Sequence, residues 1–184
     1  MPKNKYNKKI YKLFIEDQRD RSGKKISKYI TKKDWNKLKK RDKERQDKIA
    51  AILKENINLT GHDYFMIAMI YQHGTKISHS KKAIKYSALG IKLNDNDSKW
   101  LFAAATDRLL MRRNKKQKYG TQYQKMKNGK WRLYPYDRKT TDKERAEYNV
   151  IPLKDALAKA ELWNSTKKDP WNQKRKTIGI TTKQ

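Results

Sequence analysis

The chain has 184 residues and no cysteine, and it sets 48 Lys and Arg against 19 Asp and Glu, a formal net charge of +29 at pH 7. That length supports one domain with a real core plus tails. The charge argues against an ordinary soluble enzyme of neutral metabolites and asks for a polyanion as neighbour; the alternative is that it merely keeps the protein soluble or reflects a Lys- and Asn-rich coding bias. Without cysteine there is no disulfide framework and no thiolate metal site, so nothing argues for secretion, and a cytoplasmic or virion-associated location is expected. No membrane partner is expected: the start MPKNKYNKKIYKLF has no uninterrupted apolar stretch, and the longest apolar run, Tyr64 to Tyr71, is far too short to cross a bilayer.

The charge divides the chain. Residues 1–60 carry 20 basic and 8 acidic groups, residues 61–110 carry 7 and 4, and residues 111–184 carry 21 and 7. Residues 1–59 read as a basic helical extension. It holds at most one short amphipathic helix around Ile10 to Ile15, then a long solvated helix opened by the Thr31/Asp34 capping pair, with Trp35, Leu38, Ile49, Ile52 and Leu53 in clusters between charges. The first of these segments lacks the periodicity to add much to a core.

Residues 60–164 read as the folded core. DYFMIAMIYQHG is apolar nearly all round, which suits a helix covered on several sides; Thr60 with Asp63 starts it and Gly74 is a stop signal. SHSKKAIKYSALG predicts a second helix with Ala83, Ile84, Ala88 and Leu89 inward and Gly90 at its end. After the turn chemistry of LNDNDS, a third runs through KWLFAAATDRLLMRR. Short connections predict antiparallel neighbours, resembling a tetratricopeptide-type helical hairpin, and one such unit makes a small bundle rather than a solenoid. Residues 165–184 read as a basic tail. The fold class is mainly helical α+β.

Asn128-Gly129 is the strongest hairpin signal. A two-residue type I′ turn there would place Tyr123 opposite Tyr134 and Met126 opposite Trp131. In that register Gln122, Gln124, Met126, Trp131 and Leu133 face the core, while Tyr123, Lys125, Lys127, Lys130, Arg132, Tyr134 and Tyr136 form a basic, aromatic face. Such a ribbon suits nucleic acid, with cations on phosphates and rings on unpaired bases; its bland counterpart is a solvated face whose tyrosines pack on one another.

If the first and third core helices run parallel, Gln72 and His73 lie level with Asp107 and Arg108, and the chain leads on into Gln117, Tyr119, Gly120, Thr121 and Gln122. These motifs, with Asp142-x-x-Arg145 and the NVIPL of residues 149–153, resemble the ordered motifs QH…DR…QxYGTQ…DxxR…GLxPL of a widespread bacterial domain of unknown function, over residues 60 to 160. The resemblance implies a domain boundary and a shared polar constellation, but no reaction. The surrounding lysines depart from that family's pattern.

A catalytic reading gives His73 the role of general base, Asp107 that of orienting it, and Arg108 with the amides around Gly120 that of holding an anionic oxygen, with Gln72, Gln117, Tyr119, Thr121 and Gln122 lining the site. A structural reading has His73 capping a helix, Asp107 and Arg108 as a buried pair, and the glutamines satisfying strand-edge amides. His62 and His79 lack metal-site spacing, and no phosphate-loop, dinucleotide or nucleophile-elbow motif is present, so neither metal nor cofactor is indicated. The leading expectation is a protein that binds RNA or DNA mainly through phosphates. An enzyme acting on an anionic substrate and a protein-interaction adaptor are its alternatives.

Overall fold

The computed structural model describes residues 6–21, 31–55 and 57–166. Within them lie α1 (Lys8–Asp20), α2 (Lys32–Ile52), α3 (Gly61–Gln72), α4 (Ile77–Lys92), α5 (Asp97–Arg112), β1 (Tyr123–Lys125), β2 (Trp131–Leu133), α6 (Asp142–Glu147) and α7 (Leu153–Ser165). This is the mainly helical α+β bundle with one hairpin that the pattern predicts. None of these helices is long and apolar enough to cross a membrane.

Helix α3 is the central element because it has no polar side to expose. Phe65, Met66, Ile67, Ala68, Ile70 and Tyr71 are all buried, and Thr60 and Asp63 close the expected capping box at its start. The hairpin of α3 and α4 is antiparallel: Gly61 at the beginning of α3 lies against Gly90 late in α4. Helix α5 returns alongside α4, so that Arg112 at its end bonds Ser80 near the start of α4 and the Gly74 carbonyl. Hence α3 and α5 run parallel, as predicted.

Gly90 does not end α4. It lies inside the helix, where a Cβ would sit 3.1 Å from the Gly61 carbonyl oxygen and closer still to Ser98, so its role is close helix approach. The turn belongs to Asn94, at φ 60°.

Helix α1 is longer than the predicted segment and is part of the core. Ile10, Leu13 and Phe14 are buried in one cluster with Ile49 and Ile52 of α2, most of α3, Ala83 and Leu101. The extension's spacing at 10, 13, 14 and 17 is helical; what hides it is that the fourth inward residue is Asp17, a charge. Helices α6 and α7 complete the described chain. Thr141 and Glu144 box the start of α6, the Asp142 carboxylate accepts from the Leu153 amide at the start of α7, and Val150 is buried between them. The expected tail begins on the last residue of α7, Ser165, just after Asn164, which bonds Trp131; from residue 167 on it lies outside the described residues.

The hairpin register differs from the expected one by a single residue. Tyr123 pairs with Leu133, Gln124 with Arg132 and Lys125 with Trp131. Only Gly129 has positive φ, 79°, and Met126 closes the loop by donating to Lys130, so three residues turn the chain instead of two. The slip exchanges faces, because strand side chains alternate. Tyr123 and Lys125 now share a side with Trp131 and Leu133, and that side rests on α7: the Tyr123 ring lies 4.7 Å from Trp163, and its hydroxyl donates to the Ala156 carbonyl at 3.1 Å.

Candidate functional site

Asp107 is fully buried in α5 and points at the loop that follows. One carboxylate oxygen accepts from the amides of Lys118 and Tyr119, both at 2.8 Å; the other accepts from the Thr121 amide at 2.9 Å and its hydroxyl at 2.8 Å. A chain that must reverse direction after a helix exposes amides in a row, and a carboxylate on the preceding helix satisfies them at once. Burial pushes this carboxyl above its ordinary range, with the four donors pulling against it.

Gln117 and Gln122 complete the loop. The Gln117 side chain donates to the carbonyls of Gln122 and Tyr134 and accepts from the Gln122 amide, acting as a rung between two extended segments. Its backbone bridges to the segment around Tyr136. Gly120, at φ 80°, lets the fully buried Arg145 approach: a Cβ would lie 2.9 Å from its Nη1, which donates to the Tyr119 carbonyl. Arg145 also reaches Thr140 and pairs with Asp142 at 3.3 Å. Tyr119 is buried against Tyr148, and burial raises its phenol well above the usual range.

The DR, QxYGTQ, DxxR and NVIPL segments therefore meet in one interlocked knot. Two expectations are corrected by it. Asp107 does not orient His73, since its acceptor capacity is spent on the loop, and Asp107 and Arg108 are not a pair of partners, because one points into the loop and the other lies half-buried on a different side of the helix. The amides around Gly120 are likewise not open to an external oxyanion: Asp107 already fills them.

His73 has a different partner. Its Nδ1 lies 2.7 Å from Asp17 of α1. Arg108 is close enough to add to the depression of the His73 pKa, so the predicted level placing of α3 and α5 holds, but burial is the main cause and Asp17 opposes it. Gln72 is buried beside it, with a side-chain oxygen that has no donor among the described residues.

Asp17 opens a network that sequence reasoning missed. It takes Arg21 at 2.7 Å; Arg21 reaches Asp42 at 2.6 Å; Asp42 takes Arg45, also at 2.6 Å; and Arg45 and Arg41 share Asp20 at 2.7 and 2.8 Å. Asp17, Asp42 and Arg45 are all buried. The spacing of Asp17, Asp20 and Arg21, and of Arg41, Asp42 and Arg45, was visible, but in so charged a chain it reads as a solvated face.

Of the residues expected to meet nucleic acid, Lys125, Lys127, Lys130 and Arg132 are exposed, and Tyr134 and Tyr136 are half-buried. Tyr123 is taken by α7, and its phenol is pushed up to about 12 by burial. The hairpin is thus basic on its edge and turn, with its large rings turned inward. The chain matches no protein-family model, no curated protein and no solved structure.

Proposed function

We propose that this protein binds RNA or DNA, mainly through the phosphates. The observation that carries the proposal is the direction in which charges face. Nine of the described carboxylates are engaged within the fold: Asp17, Asp20 and Asp42 on arginines, Asp34, Asp63 and Glu144 on helix starts, Asp95 on Ser98 and His62, Asp107 on the loop, Asp142 on Arg145 and an amide, while others, Glu44, Asp155 and Glu161 among them, are exposed. The lysines face out. Among the described residues, those in ion pairs are Lys9, Lys43 and Lys118. In a chain of net charge +29, exposed and largely unpaired lysines among the described residues favour a polyanion as partner.

The filling of the loop amides by Asp107 favours binding over catalysis, because an oxyanion site needs donors that no internal group occupies. On this reading the motif residues form the scaffold, and nucleic-acid binding is a property of the surface around it. The cytoplasm or a virus particle offers the partner that this surface requires.

Fluorescence anisotropy with a labelled single-stranded RNA and a DNA duplex, from 50 to 200 mM salt, tests the proposal. With six or more phosphate contacts the affinity is expected to fall by about a thousandfold over that range. Absence of binding to either probe at 50 mM salt sinks it.

A further inference from the structure

In a chain of net charge +29, the outer face of α7 is neutral and has an apolar middle. Lys154, Asp155, Lys159 and Glu161, two charges of each sign, surround Ala158 and Leu162, and all six residues are exposed. From the structure we infer that this face pairs with a second copy of the same chain, α7 lying antiparallel to α7 about a two-fold axis. The pairing is independent of the nucleic-acid reading.

Helix α7 buries Ala156, Ala160 and Trp163, with the Tyr123 and Trp131 rings of the hairpin edge-on to Trp163. That spends one side of the helix. The opposite side holds a shallow hollow lined by Asp155, Ala158, Lys159, Glu161, Leu162 and Ser165, all residues of α7, so no other described element covers it. Leu162 is 57% exposed there, and Ile151, just before the helix, is 43% exposed. The Lys159 ammonium lies 5.5 Å from the Trp163 ring, and none of the four charged groups enters an ion pair among the described residues.

The charges of this face are self-complementary. Antiparallel helices related by a two-fold axis bring like flanks together, so a flank pairs with its own copy only if it carries both signs at matching spacing. By helical period, Lys154 and Glu161 share one flank of Ala158, and Asp155 and Lys159 share the other. With Ala158 at the crossing, Lys154 falls level with Glu161 of the second copy, and Asp155 with Lys159 of the second copy. Both pairs need the same register to within one residue, about 1.5 Å along the axis, and each is made twice by symmetry. The small side chain of Ala158 lets the two axes approach, and Leu162 falls at the start of the other α7, the end that carries the exposed Ile151.

Charge selects the occupant. A nucleic acid on this face would meet Asp155 and Glu161, and residues 167–184, with six basic groups and one acidic, would meet Lys154 and Lys159; a second copy meets each charge with its opposite. The neutral face also lets two copies of so basic a chain touch without local repulsion. Helix α7 has 13 residues, about 20 Å of length, so the interface is small and the dimer weak, with a Kd on the order of 10–100 µM. Its exposed ion pairs fix register and partner more than affinity.

Sedimentation equilibrium of the full chain, from about 10 to about 500 µM protein in about 150 mM salt, tests the pairing under conditions where exposed charges are screened beyond about 8 Å. Glu161→Lys and Lys154→Glu each turn opposite charges into like ones, and the double variant restores the pair with its signs exchanged and the net charge unchanged. Lys154→Glu alone lowers the net charge, so it would strengthen association if general repulsion decided the outcome. Leu162→Ser removes the apolar contact. All three positions are exposed, so thermal melts of the variants are expected to match wild type.

Wild type is expected to dimerise, each single charge reversal and Leu162→Ser to weaken the dimer about tenfold, and the double reversal to bring it back to within about threefold of wild type. A monomer at every concentration overturns the pairing and leaves the face to another occupant, such as residues 167–184. A dimer that none of these variants weakens also overturns it, because the interface then lies elsewhere. If the single reversals weaken the dimer and the double reversal does not rescue it, the antiparallel register is overturned.

Discussion

Replacing Asp107 by Asn tests whether the buried carboxylate is a clamp or a reactive group. Asn retains one acceptor oxygen. If it stays with the amides of Lys118 and Tyr119, the new NH₂ faces the Thr121 amide, which is left unsatisfied at a cost of about 1–3 kcal/mol, while the Thr121 hydroxyl turns to accept. The two bonds that remain lose their charge assistance, about 1 kcal/mol each. Together this is about 3–5 kcal/mol, a large share of a typical stability of 5–15 kcal/mol. In a chain of this size it lowers Tm by roughly 6–20 °C. Urea melts followed by circular dichroism, with the slope m checked for constancy, measure it. Thr121→Val removes the hydroxyl's bond to residue 107 and should cost less in the Asp107→Asn background than in wild type, because the bond lost there is no longer charge-assisted. A Tm for Asp107→Asn within about 2 °C of wild type would refute the clamp, because four donors cannot lose a charged acceptor in a buried site for so little.

Gly120→Ala puts a methyl group at φ 80° against Arg145 and should lower stability by about 1–3 kcal/mol in the same melts; an unchanged Tm would show that the loop can relax. Deleting residues 1–21 takes Ile10, Leu13, Phe14 and Asp17 out of the core, so the cooperative thermal transition should be lost; a truncated chain that still melts cooperatively would make α1 an appendage. His73 has its pKa lowered by burial, so the unfolded chain, which protonates near pH 6.5, takes up a proton that the folded ring refuses. Its contribution to stability is present above that value and is lost as the pH falls from there toward the folded pKa, and His73→Gln should flatten the decline between pH 7 and 5 in urea titrations. His62 has the opposite sign: Asp95 raises its pKa, so its contribution is present at low pH and is lost as the pH rises through the folded value. A slope unchanged by His73→Gln would contradict the assignment of a buried neutral ring.

The apolar core was legible in the sequence because burial there follows period and composition. An all-round apolar α3 has one place to go, and the Thr31/Asp34 and Thr60/Asp63 boxes start α2 and α3 as read. The hairpin was legible as an element but not in register. Asn-Gly serves a two-residue turn and a three-residue turn with Gly in the left-handed position alike, and only the packing of Tyr123 and Trp131 on Trp163 distinguishes them. The motif residues were legible as a group, but not their roles, since a carboxylate, two glutamines and a glycine suit an active site and a pinned loop equally well until the donors are counted. The Asp17–Arg21–Asp42–Arg45 network was not legible at all: each member has a counterpart one turn away in its own helix, where the ordinary reading is a solvated pair.

That network also fixes the rotation of α2 against α1. The apolar side of α2 is thin, with Leu38 near its start and Ile49 and Ile52 near its end, so hydrophobic packing alone would leave the helix free to roll about its axis between them. Asp42 and Arg45 occupy the middle and must face α1, because a buried charge that rolled away from Arg21 or Asp20 would lose its partner at a cost of several kcal/mol. Fixing those two residues inward fixes Lys39, Lys43 and Gln46 along the edge that looks toward the start of α4. The buried ion pairs thus set the direction of the unburied lysines. Three carboxylates, Asp17, Asp20 and Asp42, thus hold α1 and α2 in one rotation about their axes.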